Sequence, residues 1–286
     1  MRIAVICSYD FSAWCLGIFL QKLQLDHEVT VLCDIHDGYE YGHYIDKVKQ
    51  WGVKHEYVST YRFVNPYSDL KYLLTLYRIL NKEKYDMVIN VATKPNVYGS
   101  IAARWAKVER IVCFGWGLGL TFEKTRNVGR IFLKYILSAL YWYAFKISDK
   151  VWFTNRGDLQ HFISLGFVDK NKSFLTKNAV DLDDFCIESI DPVHLRALRQ
   201  ELELDADNQV VIMVARLIKQ KGVLEFANAA IQLYESLPHL RFILVAPEEP
   251  LNSSMISPEL IRKMEENSNL IWLGFRKDVR ELYALS

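Results

Sequence analysis

The residues best suited to chemistry are an arginine and a lysine five positions apart. Arg216 and Lys221 lie in Ala215-Arg-Leu-Ile-Lys-Gln-Lys-Gly222, between an apolar strand pattern at 209–214 and a helical pattern at 221–235. A strand end followed by a helix N-terminus already favours anions, because amide N–H groups point outward and the helix dipole is positive there. A planar guanidinium and an ammonium point charge added to it suit a diphosphate. The same two cations are also ordinary in a surface loop.

Two further segments could meet a ligand. Gly115-Trp-Gly-Leu-Gly119 follows a strand pattern at 110–114, and Gly115, Gly117 and Gly119 allow backbone amides to approach an anion or carbonyl oxygen, or else make a tight turn before a helix. The segment is not the dinucleotide fingerprint, and the first crossover, Ser8-Tyr-Asp-Phe-Ser-Ala13, has no glycine and cannot cradle a dinucleotide, which argues against NAD or FAD and against a sugar-nucleotide epimerase. In Thr93-Lys-Pro-Asn-Val-Tyr-Gly99, Pro95 and Asn96 suit a turn and a helix start, while Gly99 and Ala102 permit close packing on a sheet. Lys94 there either faces a phosphate or stands in solvent.

Other chemistries recede. His27, His36, His43, His55, His161, His194 and His239 show no metal-ligand spacing, so no metal is expected. His36, Asp34, Asp37 and Glu40 cluster after the second strand, as a base or as a solvated acidic loop. There is no Gly-x-Ser-x-Gly turn and no Walker A loop. Lys and Arg number 35 against 34 for Asp and Glu, a net charge of +1 that calls for no nucleic acid. Through residue 185 there are 24 basic and 19 acidic residues, and beyond it 11 and 15, so the first part tolerates an anionic surface better. Cys7, Cys15, Cys33, Cys113 and Cys186 are odd in number and scattered, fitting a reducing compartment. Nothing at the N-terminus signals export.

The elements that must position these residues are short apolar runs alternating with helical patterns. Strands are expected at 2–7, 28–33, 55–59, 86–91, 110–114, 150–154 and 172–176, with helices near 12–24, 39–51, 67–82, 98–106, 128–147 and 156–165. After an acidic, turn-rich stretch at 181–194 come helices at 193–202, 221–235 and 258–266 and strands at 209–214, 240–245 and 270–273. The 286 residues thus form an α/β protein of two Rossmann-like doubly wound domains facing across a cleft, 1–185 and a smaller, incomplete 186–286. The aromatic helix at 128–147 carries Tyr135, Tyr141, Trp142 and Tyr143 beside Lys134 and Lys146, and its apolar stretch Ile131–Ile147, interrupted by Lys134, falls short of the about 20 residues that span a bilayer. It suits either a membrane surface or packing within the first domain.

Taken together, several segments resemble the retaining glycosyltransferases of the GT-B fold in family 4, in the branch that acts on lipid-linked intermediates of bacterial polysaccharide or glycan biosynthesis. They are His27-Glu-Val-Thr-Val31, Asp86 to Gly99, Gly117-Leu-Gly-Leu-Thr-Phe122, Phe153 to Phe162, Asn178 to Phe185, Ala215 to Gly222 and Leu273 to Val279. The resemblance implies that Arg216 and Lys221 hold the donor diphosphate and stabilise the departing nucleotide, with Gly117 and Gly119 near the donor phosphates. It implies that Lys94, Asn96, Tyr98, Thr154 and Asn155 lie on the substrate side. The donor is then a nucleotide sugar, a UDP-sugar ahead of a GDP-sugar, and no cofactor is needed. The acceptor is a polyprenyl-diphosphate-linked saccharide, entered through the 1–185 domain. The implied location is cytoplasmic, peripheral on the anionic inner face of the plasma membrane. The paired-glutamate segment of the family would fall a few dozen residues beyond Leu273-Gly-Phe275, where the sequence has ended, so the resemblance also implies a truncated and impaired chain, or a non-catalytic binding protein.

Overall fold

Alternating apolar runs and helices fold into two separate parallel sheets. The computed structural model describes residues 1–35, 44–61, 63–115, 128–183, 185–250, 252, 254–266 and 268–286, and the chain divides into Met1–Val180 and Asp181–Ser286. The first unit holds β1 (Arg2–Tyr9), β2 (Glu28–Asp34), β3 (Lys54–Tyr57), β4 (Met87–Val91), β5 (Arg110–Gly115), β6 (Lys150–Phe153) and β7 (Ser173–Leu175). They are ordered β3-β2-β1-β4-β5-β6-β7, every pair parallel.

Helices on both faces explain why the central strands have no polar side. Helices α1 (Asp10–Cys15), α2 (Gly17–Asp26) and α3 (Tyr44–Gln50) belong to the face carrying Ile3, Val5, Val29, Val31 and Ile89. The alternate residues Ala4, Ile6, Val88 and Ile111 face α4 (Pro66–Glu83) and α5 (Ser100–Trp105). Beside them α6 (Val128–Ile147) and α7 (Arg156–Ser164) cover Cys113, Val151 and Phe153. Helix α4 starts where Pro66 presets the first turn and Asn65 Oδ1 accepts the Ser68 N–H at 3.1 Å. It stops at Lys84, left-handed with φ 54°.

The second unit is smaller. It contains α8 (Pro192–Glu201), β8 (Gln209–Val214), α9 (Val223–Leu233), β9 (Leu240–Val245), α10 (Pro258–Glu265), β10 (Leu270–Trp272) and α11 (Val279–Tyr283), with strand order β10-β9-β8, all parallel. Phe242 and Leu244 pack under α9 and α10, and Ile243 and Val245 under α8 and α11. Each unit is thus Rossmann-like, as the alternation of strand and helix patterns predicted.

Three departures from the sequence expectation have local causes. The helix expected at 12–24 is two helices with Leu16 between them. Trp51 lies so close to Gly17 that a Cβ there would come within 2.8 Å of the indole. The helix expected at 98–106 is entered through a π-helical turn, Pro95–Gly99. The helix expected from 221 begins at Val223, because Gly222 takes φ 78° and Lys219–Lys221 close a single 3-10 turn before it. Of the helix expected at 39–51, the part before 44 lies outside the described residues.

Candidate functional site

In a doubly wound sheet, ligands lie beyond the carboxyl ends of the strands where the order reverses, here between β1 and β4. Strand β4 leaves the sheet through Ala92, whose φ of 84° is costly for a residue with a Cβ. The π-helical turn follows directly, a form frequent at functional sites. Lys94, Asn96 and Tyr98 all belong to this turn or lead into it, yet they do different things. The Lys94 ammonium is mostly buried, paired with Asp69 of α4 and donating to the Phe63 carbonyl at 2.8 Å. Asn96, 1% exposed, donates to the Phe114 carbonyl at 2.9 Å and accepts the Phe114 N–H at 3.2 Å, which fastens the turn to β5. Tyr98 is half-buried, edge-on to Tyr72 at 6.3 Å, and burial together with the Asp69 charge and hydrogen bond pushes its phenol up to about 12.

Beneath the turn is a buried polar cluster. Asn90 Nδ2 donates to Ser100 Oγ at 3.1 Å, and Ser100 and Ser148 both approach Cys113 Sγ, at 3.1 and 3.0 Å. A Cβ on Gly99 would overlap Asn90 Oδ1.

The remaining candidates of this unit also have structural duties. Asn155 caps α7, accepting the Asp158 N–H at 3.0 Å and donating to the Asp158 carboxylate at 2.9 Å, while Thr154 stands half-buried at the end of β6. At the glycine-free first crossover, Asp10 is 1% exposed and accepts the N–H groups of Phe11 at 2.9 Å and Ile45 at 3.3 Å. Asp34 accepts the Thr60 N–H at 2.6 Å and the Ile35 N–H at 2.9 Å, so its carboxylate holds the β3 exit loop. Gly117 and Gly119, with His36, Asp37, Glu40 and His43, lie outside the described residues.

In the second unit, Arg216 follows β8 and Lys221 precedes α9. The N-cap of α9 is Gly222, so no side chain caps its first turn and the α9 N-terminus keeps its affinity for anions. Lys221 is exposed, with no ion-pair partner among the described residues. Arg216 Nη1 meets Glu249 at 3.3 Å, and Asn252 Nδ2 donates to the same carboxylate at 3.0 Å. The loop is clamped by the chain after β9. Leu217 N–H donates to the Pro247 carbonyl at 3.2 Å, Gln220 Nε2 to Ser254 Oγ at 2.8 Å, and Ile218 bridges antiparallel to Met255. Such a cradle can hold a phosphate group and stabilise negative charge growing on it. Sequence reasoning missed Glu249, Asn252 and Asp69; acidic residues just beyond β9 and in the first turn of α4 were the available signals.

Among the described residues no group of three or more His, Cys, Asp or Glu side chains is placed to hold a metal ion. Among them, too, no helix is long and apolar enough to cross a membrane.

The fold recurs in solved structures. HepE of Anabaena, in complex with UDP and glucose, superposes with a TM-score of 0.70 at 17% identity, over 99% of this chain and 71% of that one. UDP-GlcNAc 2-epimerase of Neisseria meningitidis, bound to UDP-GlcNAc, gives 0.62 at 15% identity, over 99% and 75%. The likeness shows the fold, and since a UDP-GlcNAc 2-epimerase shares it, the fold by itself does not speak against an epimerase. In sequence, the chain is 27% identical over 248 residues to N,N'-diacetylbacillosaminyl-diphospho-undecaprenol alpha-1,3-N-acetylgalactosaminyltransferase of Campylobacter jejuni, covering 84% of this chain and 61% of that protein. It is 31% identical over 227 residues to UDP-Gal:alpha-D-GlcNAc-diphosphoundecaprenol alpha-1,3-galactosyltransferase of Escherichia coli, covering 79% and 56%. The chain thus spans about three fifths of the length of these relatives. The glycosyl transferase 4-like family matches residues 6–155, more than half of the chain, and the chain belongs to that family.

Proposed function

We propose that the protein is a glycosyltransferase that moves a hexose or N-acetylhexosamine from a UDP-sugar to a polyprenyl-diphosphate-linked saccharide, with retention at the anomeric carbon, in surface polysaccharide biosynthesis. The observation that carries this reading is the pairing of Arg216 and Lys221 with the uncapped start of α9 at the end of β8. As the glycosidic bond to the donor breaks, negative charge gathers on the departing diphosphate. Two cations and a helix N-terminus stabilise that charge more than they stabilise the bound donor. The names of both relatives, each a transferase onto a diphospho-undecaprenol-linked sugar, support the acceptor class.

On this reading Lys94, Tyr98 and Thr154 border the acceptor, and Gly117 and Gly119 keep the donor-side role that the family resemblance implies. Asn96 and Asn155 act by holding their turns in shape. The protein works at the cytoplasmic face of the membrane that carries the acceptor.

Calorimetry with UDP- and GDP-sugars tests the donor site. UDP-sugar binding is expected, weakened about ten- to a hundredfold by Arg216→Ala or Lys221→Ala, the worth of one charge-assisted hydrogen bond. A folded chain that binds no UDP-sugar, or one whose affinity both variants leave unchanged, overturns the reading. Donor binding without transfer to a polyprenyl-diphosphate-linked acceptor would favour a binding protein over an enzyme.

A further inference from the structure

Helix α4 is apolar on two sides. Tyr72, Leu73, Leu76 and Leu80 fill the core beneath it, as an amphipathic helix should. The opposite face nevertheless presents Tyr67, Leu70 and Leu74, which are 79%, 53% and 36% exposed. These three line a shallow groove with Lys71 and Arg78. The loop leading into the helix adds Tyr61 and Phe63, 51% and 61% exposed, their rings edge-to-face at 6.0 Å. A contiguous apolar surface of this kind, rimmed by polar groups, marks an interaction site.

The charges around it select the partner. Lys71 and Arg78 make no ion pair among the described residues. The two acids of the helix are engaged away from this face, Asp69 with Lys94 and Glu83 with Arg2. The face therefore offers leucines and tyrosines flanked by two unopposed cations. A second copy of the chain, packed symmetrically on it, would bring those cations toward their own equivalents. Anionic lipid instead accepts both features, apolar side chains at the headgroup boundary and cations against phosphates.

We propose that the outer face of α4, with Tyr61 and Phe63, docks the protein onto an anionic lipid surface. Helix α6, where the sequence pointed to membrane contact, also exposes Phe132 and Tyr135. Of its described cations, however, Lys146 stands 4.7 Å from the Trp142 ring, and Lys134 has a partner of its own. The α4 surface is also wired to the substrate edge, because the Lys94 ammonium donates to the Phe63 carbonyl. Docking would thus set the height of the π-helical turn above the headgroups. The proposal rests on the transferase reading only for the reason to dock; the docking itself involves neither substrate.

The test is co-sedimentation of the chain with vesicles of phosphatidylcholine and phosphatidylglycerol, and of phosphatidylcholine alone. Three variants are compared: Leu70→Ser with Leu74→Ser, Lys71→Gln with Arg78→Gln, and Phe132→Ser with Tyr135→Ser. Thermal midpoints confirm folding, and UDP-sugar binding is measured separately in solution. The wild-type chain is expected to bind the anionic vesicles. The cation pair should lower that binding by about twentyfold or more, roughly fivefold per charge. The leucine pair should abolish it, and the α6 pair should leave it intact. Absence of binding by the wild type overturns the proposal, as do α4 variants that bind normally or loss confined to the α6 pair. Self-association abolished by the leucine pair, without vesicle binding, would assign the face to a second copy and overturn it too. Loss of UDP-sugar binding with vesicle binding retained would count against the transferase reading alone.

Discussion

Arg216 does not stand free at the end of β8. Glu249, only 13% exposed at its side chain, holds one guanidinium nitrogen, and Asn252 holds Glu249. The arrangement steadies the fork but leaves a carboxylate beside any bound diphosphate. Glu249→Gln keeps the hydrogen-bonding shape and removes the repulsion, so UDP-sugar affinity is expected to rise by up to about fivefold, the scale of one partly exposed ion pair. Glu249→Ala, which frees the guanidinium, should weaken binding instead. Calorimetry reads both, and unchanged affinity in the pair would make Glu249 a bystander. On the other sheet, neighbouring residues in one short motif have parted company: Lys94 and Tyr98 converge on Asp69, while Asn96 gives both polar atoms to Phe114.

At the scale of elements, the π-helical turn depends on a missing methyl. Gly99 lies against Asn90 of β4, whose amide is anchored on Ser100 of α5. Gly99→Ala must push one of these buried groups aside and is expected to destabilise the first unit by about 1–3 kcal/mol, seen as a lower denaturant midpoint at unchanged slope. In the second unit, Arg276 bonds Glu201 of α8 at 2.5 Å and Asp278, the residue before α11, at 2.6 Å. Its hydrogen bonds hold both carboxyl groups below their usual range. A carboxylate with a lowered folded pKa adds stability above the unfolded value of about 4, and that stability disappears as the pH falls toward the folded value. The thermal midpoint should therefore drop with acidification more steeply in the wild type than in Arg276→Ala. The difference is modest because both carboxylates are partly solvated. Parallel pH profiles of the two proteins would refute the assignment.

At the scale of the whole molecule, the passage between the units is exposed. Between β7 and the 3-10 turn at Ile187–Ser189 the described residues form no helix or strand, and Val180 and Leu182 are 52% and 76% exposed. Limited chymotrypsin digestion, followed by mass spectrometry, is expected to cut first near Leu182 or Phe185 and release two folded pieces. Protection of this stretch until global unfolding would show that the units do not separate there.

The amino-acid sequence alone determined the elements and their class. Runs such as Ile3–Cys7 and Val29–Cys33 must be buried on both sides, and only a parallel sheet between helix layers allows that. Proline and asparagine placed the start of α4, and the placement of Arg216 and Lys221 was visible because its logic is local: a strand end, a helix start and two cations. Tertiary structure decided how the polar side chains are used. Lys94 meets Asp69 from 25 positions away, Asn96 meets the backbone of β5 at Phe114, and Glu249 reaches Arg216 across 33 positions. It also decided that α4 turns a second apolar face to solvent, since its core contacts had to be known before Tyr67, Leu70 and Leu74 could be recognised as left over. Periodicity reports which side of an element avoids water, whereas the partner of a buried charge is chosen by strand order, which brings together residues that no local pattern links.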